Sequence, residues 1–222
     1  MKKIIILFLT SRTLLLTAQN NLQISFSLGE GNASWKASPI EITYTDIFGE
    51  PDTTFVLDTH GNCPTISASI NTMYEFNRLK LGLGFTIQHY FLNELITEAN
   101  GSWQPTLFIA TNNPQPTHYK FYPHIEYSFV KQDNFEIFVA LEGGTFLTHD
   151  GVDNEIETFH WFGNAATGVS FKLNENINFM FAPTFDYSRY NTMLTVNPNK
   201  QKIYYNIFSF YFSAGIKYSF TN

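Results

Sequence analysis

Leu79–Phe91, with the sequence LKLGLGFTIQHYF, alternates large apolar residues with small or polar ones. Because successive side chains of a β-strand point to opposite faces, this spacing predicts a strand with one apolar and one polar face. The apolar face carries Leu79, Leu81, Leu83, Phe85 and Ile87, and the other face carries Lys80, Gly82, Gly84, Thr86 and Gln88.

The same alternation recurs along the chain and defines eight segments of about ten residues, the length that a tilted strand needs to cross a bilayer. Besides Leu79–Phe91 they are Asn21–Gly29, Thr65–Phe76, Tyr119–Phe129, Phe135–Thr145, Trp161–Leu173, Ile177–Tyr187 and Phe208–Phe220. Short polar turns alternate with long loops between them, as is typical of outer-membrane barrels. The turns lie at Asn77-Arg78, around Lys131–Asn134 and at Asn174–Asn176, and the loops cover about Glu30–Pro64, Leu92–His118, Leu147–His160 and Tyr190–Ile207.

The short turns also predict strand register. A two-residue turn at Asn77-Arg78 pairs Glu75 with Lys80 on the polar face, and we expect these two side chains to form an ion pair. The three-residue turn at Asn174–Asn176 pairs Lys172 with Asn178. Between the fourth and fifth segments only an odd-length turn keeps the two apolar faces on the same side.

Two prolines, Pro123 and Pro183, lie inside predicted strands that have neighbours on both sides. Proline has no backbone N–H to donate to a ladder, so we expect a bulge or a locally open ladder at each.

Side-chain volume decides which face points inward. Aromatic residues make up 17% of the 222-residue chain, and charged residues only 14%, against about 25% in typical soluble domains. The interior of an eight-stranded barrel is only just wide enough for side chains to fill. A soluble, lipocalin-like barrel with its apolar face inward could not hold so many rings. The sequence therefore predicts an all-β, eight-stranded antiparallel up-and-down transmembrane β-barrel with its apolar face toward lipid.

Residues 1–18 are predicted to be a cleavable signal peptide, followed by the barrel domain over residues 19–222. The segment begins with Lys2 and Lys3, continues with an apolar stretch and ends at Ala18 before Gln19. The alternative, a membrane anchor, needs about 20 continuous apolar residues, and Arg12 divides this one. The prediction is export through the periplasm to the outer membrane of a Gram-negative bacterium.

Composition excludes several other classes of function. The net charge of the full chain is −6, and no cluster of Lys and Arg follows the predicted signal peptide, so nucleic acid is not an expected partner. The single Cys63 permits neither an internal disulfide nor a cysteine-based metal site, and we place it in a loop. The histidines lack close metal-ligand spacing. No metal and no cofactor is predicted.

The chain resembles the small outer-membrane β-barrel proteins typified by the OmpA transmembrane domain and OmpX. The resemblance covers Asn21–Phe220 and is carried by the architecture and by the closing segment YFSAGIKYSF, Tyr211–Phe220, which is similar to the family's C-terminal assembly signal. Thr221 and Asn222 follow that phenylalanine. The resemblance implies insertion by the outer-membrane assembly machinery, but no single function, because members serve as anchors, adhesins, narrow pores and enzymes.

The polar face gathers charged residues that are candidates for the functional site. One interpretation is an ion path through the barrel; the other is a structural network that plugs a narrow lumen, since buried charges require partners. We favour the plug. The predicted lumen network comprises Glu75, Lys80, Lys120, His124, Glu126, Glu142, Lys172, Asp186 and Lys217, with Glu136 on the same face.

The predicted function is that of a monomeric, non-enzymatic outer-membrane protein, structural or surface-binding through its long extracellular loops. Loops on a rigid scaffold often carry binding, so an extracellular ligand is the expected partner besides membrane lipid. The alternative is a narrow pore or transporter for small solutes or apolar molecules, with a side opening near Pro123 or Pro183. An enzymatic site, such as a lipid hydrolase with His89 as base, is disfavoured because no motif fixes a nucleophile beside it.

Overall fold

The computed structural model describes residues 21–45, 51–92, 96–100, 116–149, 160–196 and 199–220. These residues form ten antiparallel β-strands. Eight of them, β1, β3, β4 and β6–β10, close into a barrel because β1 pairs with both β3 and β10, while β2 and β5 pair with β3 outside the ring. The bounds are β1 Leu22–Ala37, β2 Ile40–Thr45, β3 Pro51–Phe76, β4 Leu79–Tyr90, β5 Ile96–Asn100, β6 Thr117–Lys131, β7 Phe135–His149, β8 His160–Lys172, β9 Ile177–Val196 and β10 Asn199–Ser219. The predicted signal peptide lies outside the described residues.

Strand tilt follows from the registers. The row of hydrogen-bonded partners that starts at Lys36 on β1 passes through every barrel strand and returns to β1 at Phe26. One circuit is therefore displaced by ten residues along β1. Such a shear requires strongly tilted strands and sets the width of an eight-stranded lumen.

Two of the three short turns have the predicted register. Glu75 is the direct partner of Lys80, and Lys172 is the partner of Asn178. Asn77, the first residue of the two-residue turn, has a φ of 57°, which asparagine tolerates better than most residues and which tight hairpin turns require. We call this end of the barrel the turn end and the opposite end the loop end.

The prediction of an odd-length turn between β6 and β7 was wrong. Lys131 pairs with Glu136, which leaves four residues between them, and the register then shifts between Ser128 and Val130. The shift is a β-bulge at Phe129. The extra residue in the bulge compensates for the even length of the turn, so the apolar sides of both strands face outward.

The ladders open beside both prolines, as predicted. Between β6 and β7 the pairing stops after Phe121 and resumes at His124, around Pro123. Between β8 and β9 it stops at Thr184 and resumes at Phe181, around Pro183. The register is the same on either side of each gap, so neither gap contains a bulge.

The outside of the barrel is a belt of exposed apolar side chains, whereas the lumen holds the small and polar side chains together with a smaller number of buried aromatic rings. This arrangement confirms the inference from side-chain volume and requires the belt to face lipid. No helix among the described residues is long and apolar enough to cross a membrane. The exposed aromatic residues include Phe26, Phe76, Phe121, Phe129, Trp161, Phe171, Phe185, Phe208, Phe212 and Phe220.

Two predicted loops proved to be mostly strand. The segment predicted as the loop Glu30–Pro64 contains the end of β1, β2 and the start of β3, and Tyr190–Ile207 contains the end of β9 and the start of β10. Beyond the belt the two faces exchange character: on β1, Trp35 and Ala37 are buried inside, while Ser34 and Lys36 are exposed outside. Cys63 also lies buried in this part of β3 rather than in a loop.

Candidate functional site: the closed lumen

A cluster of ionised side chains fills the lumen toward the turn end, and we call it the Glu126 cluster. It comprises Lys80, His124, Glu126, Glu136 and Lys217. Glu126 accepts hydrogen bonds from the Nζ atoms of Lys80 at 2.8 Å and Lys217 at 2.6 Å. Lys80 also donates to Glu136 at 2.7 Å. Since Lys80, Glu126 and Lys217 are no more than 2% exposed, each charge depends on its neighbours for solvation.

The cluster extends through His124 toward the middle of the lumen. Nδ1 of His124 lies 2.7 Å from Oε1 of Glu142, and its Nε2 lies 3.7 Å from Glu126. Glu142 also accepts a hydrogen bond from Asn164 at 2.8 Å. Five strands, β4, β6, β7, β8 and β10, therefore contribute to one connected network across the barrel.

The predicted ion pair between Glu75 and Lys80 was wrong, although the two residues are direct strand partners. Lys80 is also the partner of Glu126 on its other side, and its ammonium points to that carboxylate. Glu75 instead forms an ion pair with Lys131 and accepts a hydrogen bond from Gln23 at 2.6 Å. Glu75 lies at the turn-end mouth, so the exposed Lys131 reaches it while Lys80 is drawn inward.

A second ionic site lies closer to the loop end, and we call it the Lys120 pair. Nζ of Lys120 donates to both carboxylate oxygens of Asp186 at 2.7 Å and to Oε1 of Gln88 at 2.6 Å. Ser188 donates to Asp186 at 3.0 Å, and the Phe162 ring lies 4.7 Å from Nζ. The four polar side chains are at most 3% exposed, so the pair is isolated from bulk water.

A layer of aromatic rings crosses the lumen above the Lys120 pair. Trp35 contacts Tyr90 at 5.2 Å between ring centroids, Tyr90 contacts His118 at 4.8 Å, and His118 stacks on Phe146 at 4.4 Å. Phe146 in turn lies 6.3 Å from Phe162. These five side chains, the ring layer, come from β1, β4, β6, β7 and β8 and are buried. Together the five rings fill the lumen near the loop end.

Little space remains between these layers. A cavity in the lumen lined by Asn71, His124, Ala140, Met180 and Tyr211, among others, has a volume of about 40 Å³, room for only a few water molecules. By contrast, the mouth at the turn end has a volume of about 600 Å³. The lumen is therefore wide at the turn-end mouth and narrow beyond the Glu126 cluster.

Two other predicted positions lie apart from the network. Lys172 is exposed at the turn-end mouth, where it helps to line the 600 Å³ space. His89 faces outward near the loop end, with its Nδ1 2.8 Å from Oγ1 of Thr117 and its ring 4.8 Å from that of Phe91. His118 and His160 are buried beside Phe146. Among the described residues, no group of three or more His, Cys, Asp or Glu side chains could hold a metal ion.

Replacing Lys80 with Met is expected to lower the free energy of unfolding by about 1–3 kcal/mol, as for a buried group left without its hydrogen-bond partner. Glu136 loses its ammonium donor, whereas Glu126 keeps Lys217. The measurement is the temperature at which the folded band disappears on unboiled gels in detergent. Lys172→Met is the matched control, because that lysine is exposed, and an equal shift in both variants would refute the prediction.

No protein-family model matches the chain, and no curated protein sequence matches it significantly. Solved structures do match. The outer-membrane protein AlkL, determined in lipid bilayers, is 12% identical, with 91% of this chain and 92% of that chain covered and a TM-score of 0.50. Neisserial surface protein A is 16% identical over 88% of this chain and 97% of that one, with a TM-score of 0.49. Outer-membrane protein OprG from Pseudomonas aeruginosa is 12% identical, with 90% and 97% covered and a TM-score of 0.45.

The closed ring, the apolar belt and the AlkL match together define the class: the chain has the fold of the small outer-membrane β-barrels. At these identities the match defines the fold alone.

Proposed function

We propose that the protein is a non-conducting outer-membrane barrel that serves as a rigid scaffold for a surface-binding region at its loop end. The observation that carries the proposal is the filled lumen, in which the Glu126 cluster, the Lys120 pair and the ring layer leave a cavity of about 40 Å³. A path for hydrated ions would need a continuous polar channel instead. The charges in this lumen form ion pairs with one another and line no such channel.

The strands beyond the belt support the surface-binding role. β3 has 26 residues, β9 has 20 and β10 has 21, whereas about 9–11 suffice to span a bilayer. The extra length extends the barrel wall beyond the belt, where the described inward side chains Trp35 and Ile207 are buried and the outward Ser34 and Lys36 are exposed. The proposal includes removal of residues 1–18, insertion by the assembly machinery through Tyr211–Phe220, a periplasmic turn end and a monomeric state. It assigns no catalytic role.

Planar-bilayer conductance of the refolded protein tests the proposal. Unboiled gel mobility first establishes that the inserted material is folded. We expect no steady channels, because the described side chains leave a lumen cavity of only about 40 Å³ between the Glu126 cluster and the ring layer. Steady and reproducible channels from demonstrably folded protein would overturn the closed-lumen proposal.

The second candidate function is the passage of small apolar molecules through the barrel wall. It is favoured by the two ladder gaps beside Pro123 and Pro183, where neighbouring strands lack cross-strand hydrogen bonds. Vesicles containing the protein would then take up a fluorescent apolar solute faster than empty vesicles, while conductance stays silent. Equal uptake by both vesicles would eliminate this candidate.

A further inference from the structure

The lipid-facing wall has a notch near the loop end of the belt. Gly143 on β7 and Gly163 on β8 are direct partners and belong to the outward side of their strands. A Cβ atom built on Gly163 would meet nothing within 4 Å. Gly163 and Ala165 help to line an open, mainly apolar groove of about 730 Å³ whose other walls include Phe185, Tyr187, Phe208 and Phe210.

Two cations lie in a row at the loop-end rim of this groove. Trp161, Arg189, Asn206 and Lys36 are successive partners in one hydrogen-bonded row across β8, β9, β10 and β1. The guanidinium of Arg189 lies 4.8 Å from the centre of the Tyr204 ring, which holds it against the outer wall. Lys36 is exposed. One strand separates the two cations, which places their Cα atoms about 10 Å apart.

Neighbouring polar groups shape the rim. Tyr187 donates a hydrogen bond to Oδ1 of Asn206 at 2.7 Å, and its ring lies 5.3 Å from that of Trp161. Tryptophan and tyrosine are the residues expected where a barrel surface meets lipid headgroups.

Glu30, on the same outward side of β1 as Lys36, lies six residues away, roughly 20 Å along a strand, too far for an ion pair. Asp58 lies nearer, on the same outward side of β3, two residues beyond His60, the partner of Lys36. Arg189, on β9, is two strands farther from Asp58 than Lys36 is.

We propose that this face binds lipid A, the phosphorylated glycolipid moiety of lipopolysaccharide, with an acyl chain in the groove and phosphate groups at Arg189 and Lys36. The belt must face lipid, so a lipid is the occupant that the surroundings of the groove supply. Two cations above one apolar groove complement a headgroup with more than one phosphate better than a single-phosphate headgroup. The inference takes the outward orientation of the loop end from the proposed function.

Native mass spectrometry of the full refolded barrel in detergent, titrated with purified lipid A, tests this site. We expect the Arg189→Gln/Lys36→Gln variant to bind lipid A about tenfold or more weakly, since the variant lacks both cations that would face the phosphate groups. Gly163→Val should also weaken binding by filling the groove, and folding should be unaffected because the added Cβ meets open space. Arg78→Gln, at an exposed arginine in a turn at the opposite end, is the matched control and should bind as the wild type does.

Three results would overturn the site. They are unchanged lipid A binding by the Arg189→Gln/Lys36→Gln variant, an equal loss in Arg78→Gln, and binding of phosphatidylglycerol as tight as that of lipid A. The last result would mean that a single phosphate suffices. Because the titration does not depend on conductance, a conducting barrel would refute the proposed function and leave this result intact.

Discussion

Replacing Glu126 with Gln is expected to lower the free energy of unfolding by about 3–5 kcal/mol, the cost of breaking a buried ion pair from one side. Oε1 of Glu126 accepts hydrogen bonds from Lys80 and Lys217 at 2.8 and 2.6 Å. The amide removes the negative charge that both buried ammonium groups share. Glu136 still faces Lys80, but Lys217 loses the only carboxylate to which it is hydrogen-bonded among the described residues.

Equilibrium unfolding by urea in lipid vesicles measures this loss. Glu75→Gln is the matched control, because Glu75 forms its ion pair at the mouth with the exposed Lys131, and exposed pairs are worth about 0–1 kcal/mol. The two variants remove the same charge from the same face of the barrel and differ in burial. If both lose the same amount, the Glu126 cluster does not have the stabilising role inferred from its geometry.

The barrel itself could be predicted from the sequence because two independent constraints agree. Alternation sets the strands, and the volume of residues such as Phe121, Phe185 and Phe212 prevents the apolar face from pointing inward. Gly84 shows the same constraint from inside, because a Cβ atom there would collide with the lumen-facing side chains of Asn71 and Tyr122. The lengths of two short turns predicted the register of the strands they join, and the prolines predicted where the ladders open.

The ion pairs could not be predicted from hairpin register alone. Every strand in a closed barrel has two neighbours, and Lys80 is directly opposite both Glu75 and Glu126. The turn reveals the first neighbour, whereas the second depends on a long connection whose length does not set the register. Lys217 reaches Glu126 from β10, which lies on the opposite side of the ring from β6, with three strands between them in either direction. Only closure of the ring brings these side chains together.

The strands beyond the belt were missed because the prediction followed apolar residues on the outward face. Past the belt that face becomes polar, as at Ser34 and Lys36, and the inward face becomes apolar, as at Trp35 and Ile207. The period of two continues unchanged while its polarity is reversed. That reversal in the stretch from Asn32 to Ala37 is a signal in the sequence, since it predicts a strand that has left the lipid and encloses its own core. The ring layer is the product of this reversal.

Replacing Asp186 with Asn is also expected to lower the free energy of unfolding by about 3–5 kcal/mol. The buried Lys120 would then lose the carboxylate with which it forms its ion pair. Gln88 can accept one hydrogen bond from Nζ, but it carries no charge to offset the ammonium. The Phe162 ring, 4.7 Å away, compensates by at most about 2 kcal/mol. Urea unfolding measures the loss, with Asp133→Asn as the control at an exposed position in the turn after β6.

The double variant Lys120→Met/Asp186→Leu distinguishes the charge of the pair from its volume. Replacing a buried ion pair by apolar side chains of similar size is often neutral or stabilising, so we expect the double variant to recover most of the stability that Asp186→Asn loses. A double-mutant cycle with the single variants Lys120→Met and Asp186→Leu gives the coupling energy between the two side chains, and additive losses of stability would contradict the inferred pairing.

The same double variant should remain silent in planar bilayers, because the ring layer and the new apolar side chains still fill the lumen. Channels that appear only in the double variant would mean that the ion pair, and not packed volume, keeps the lumen closed.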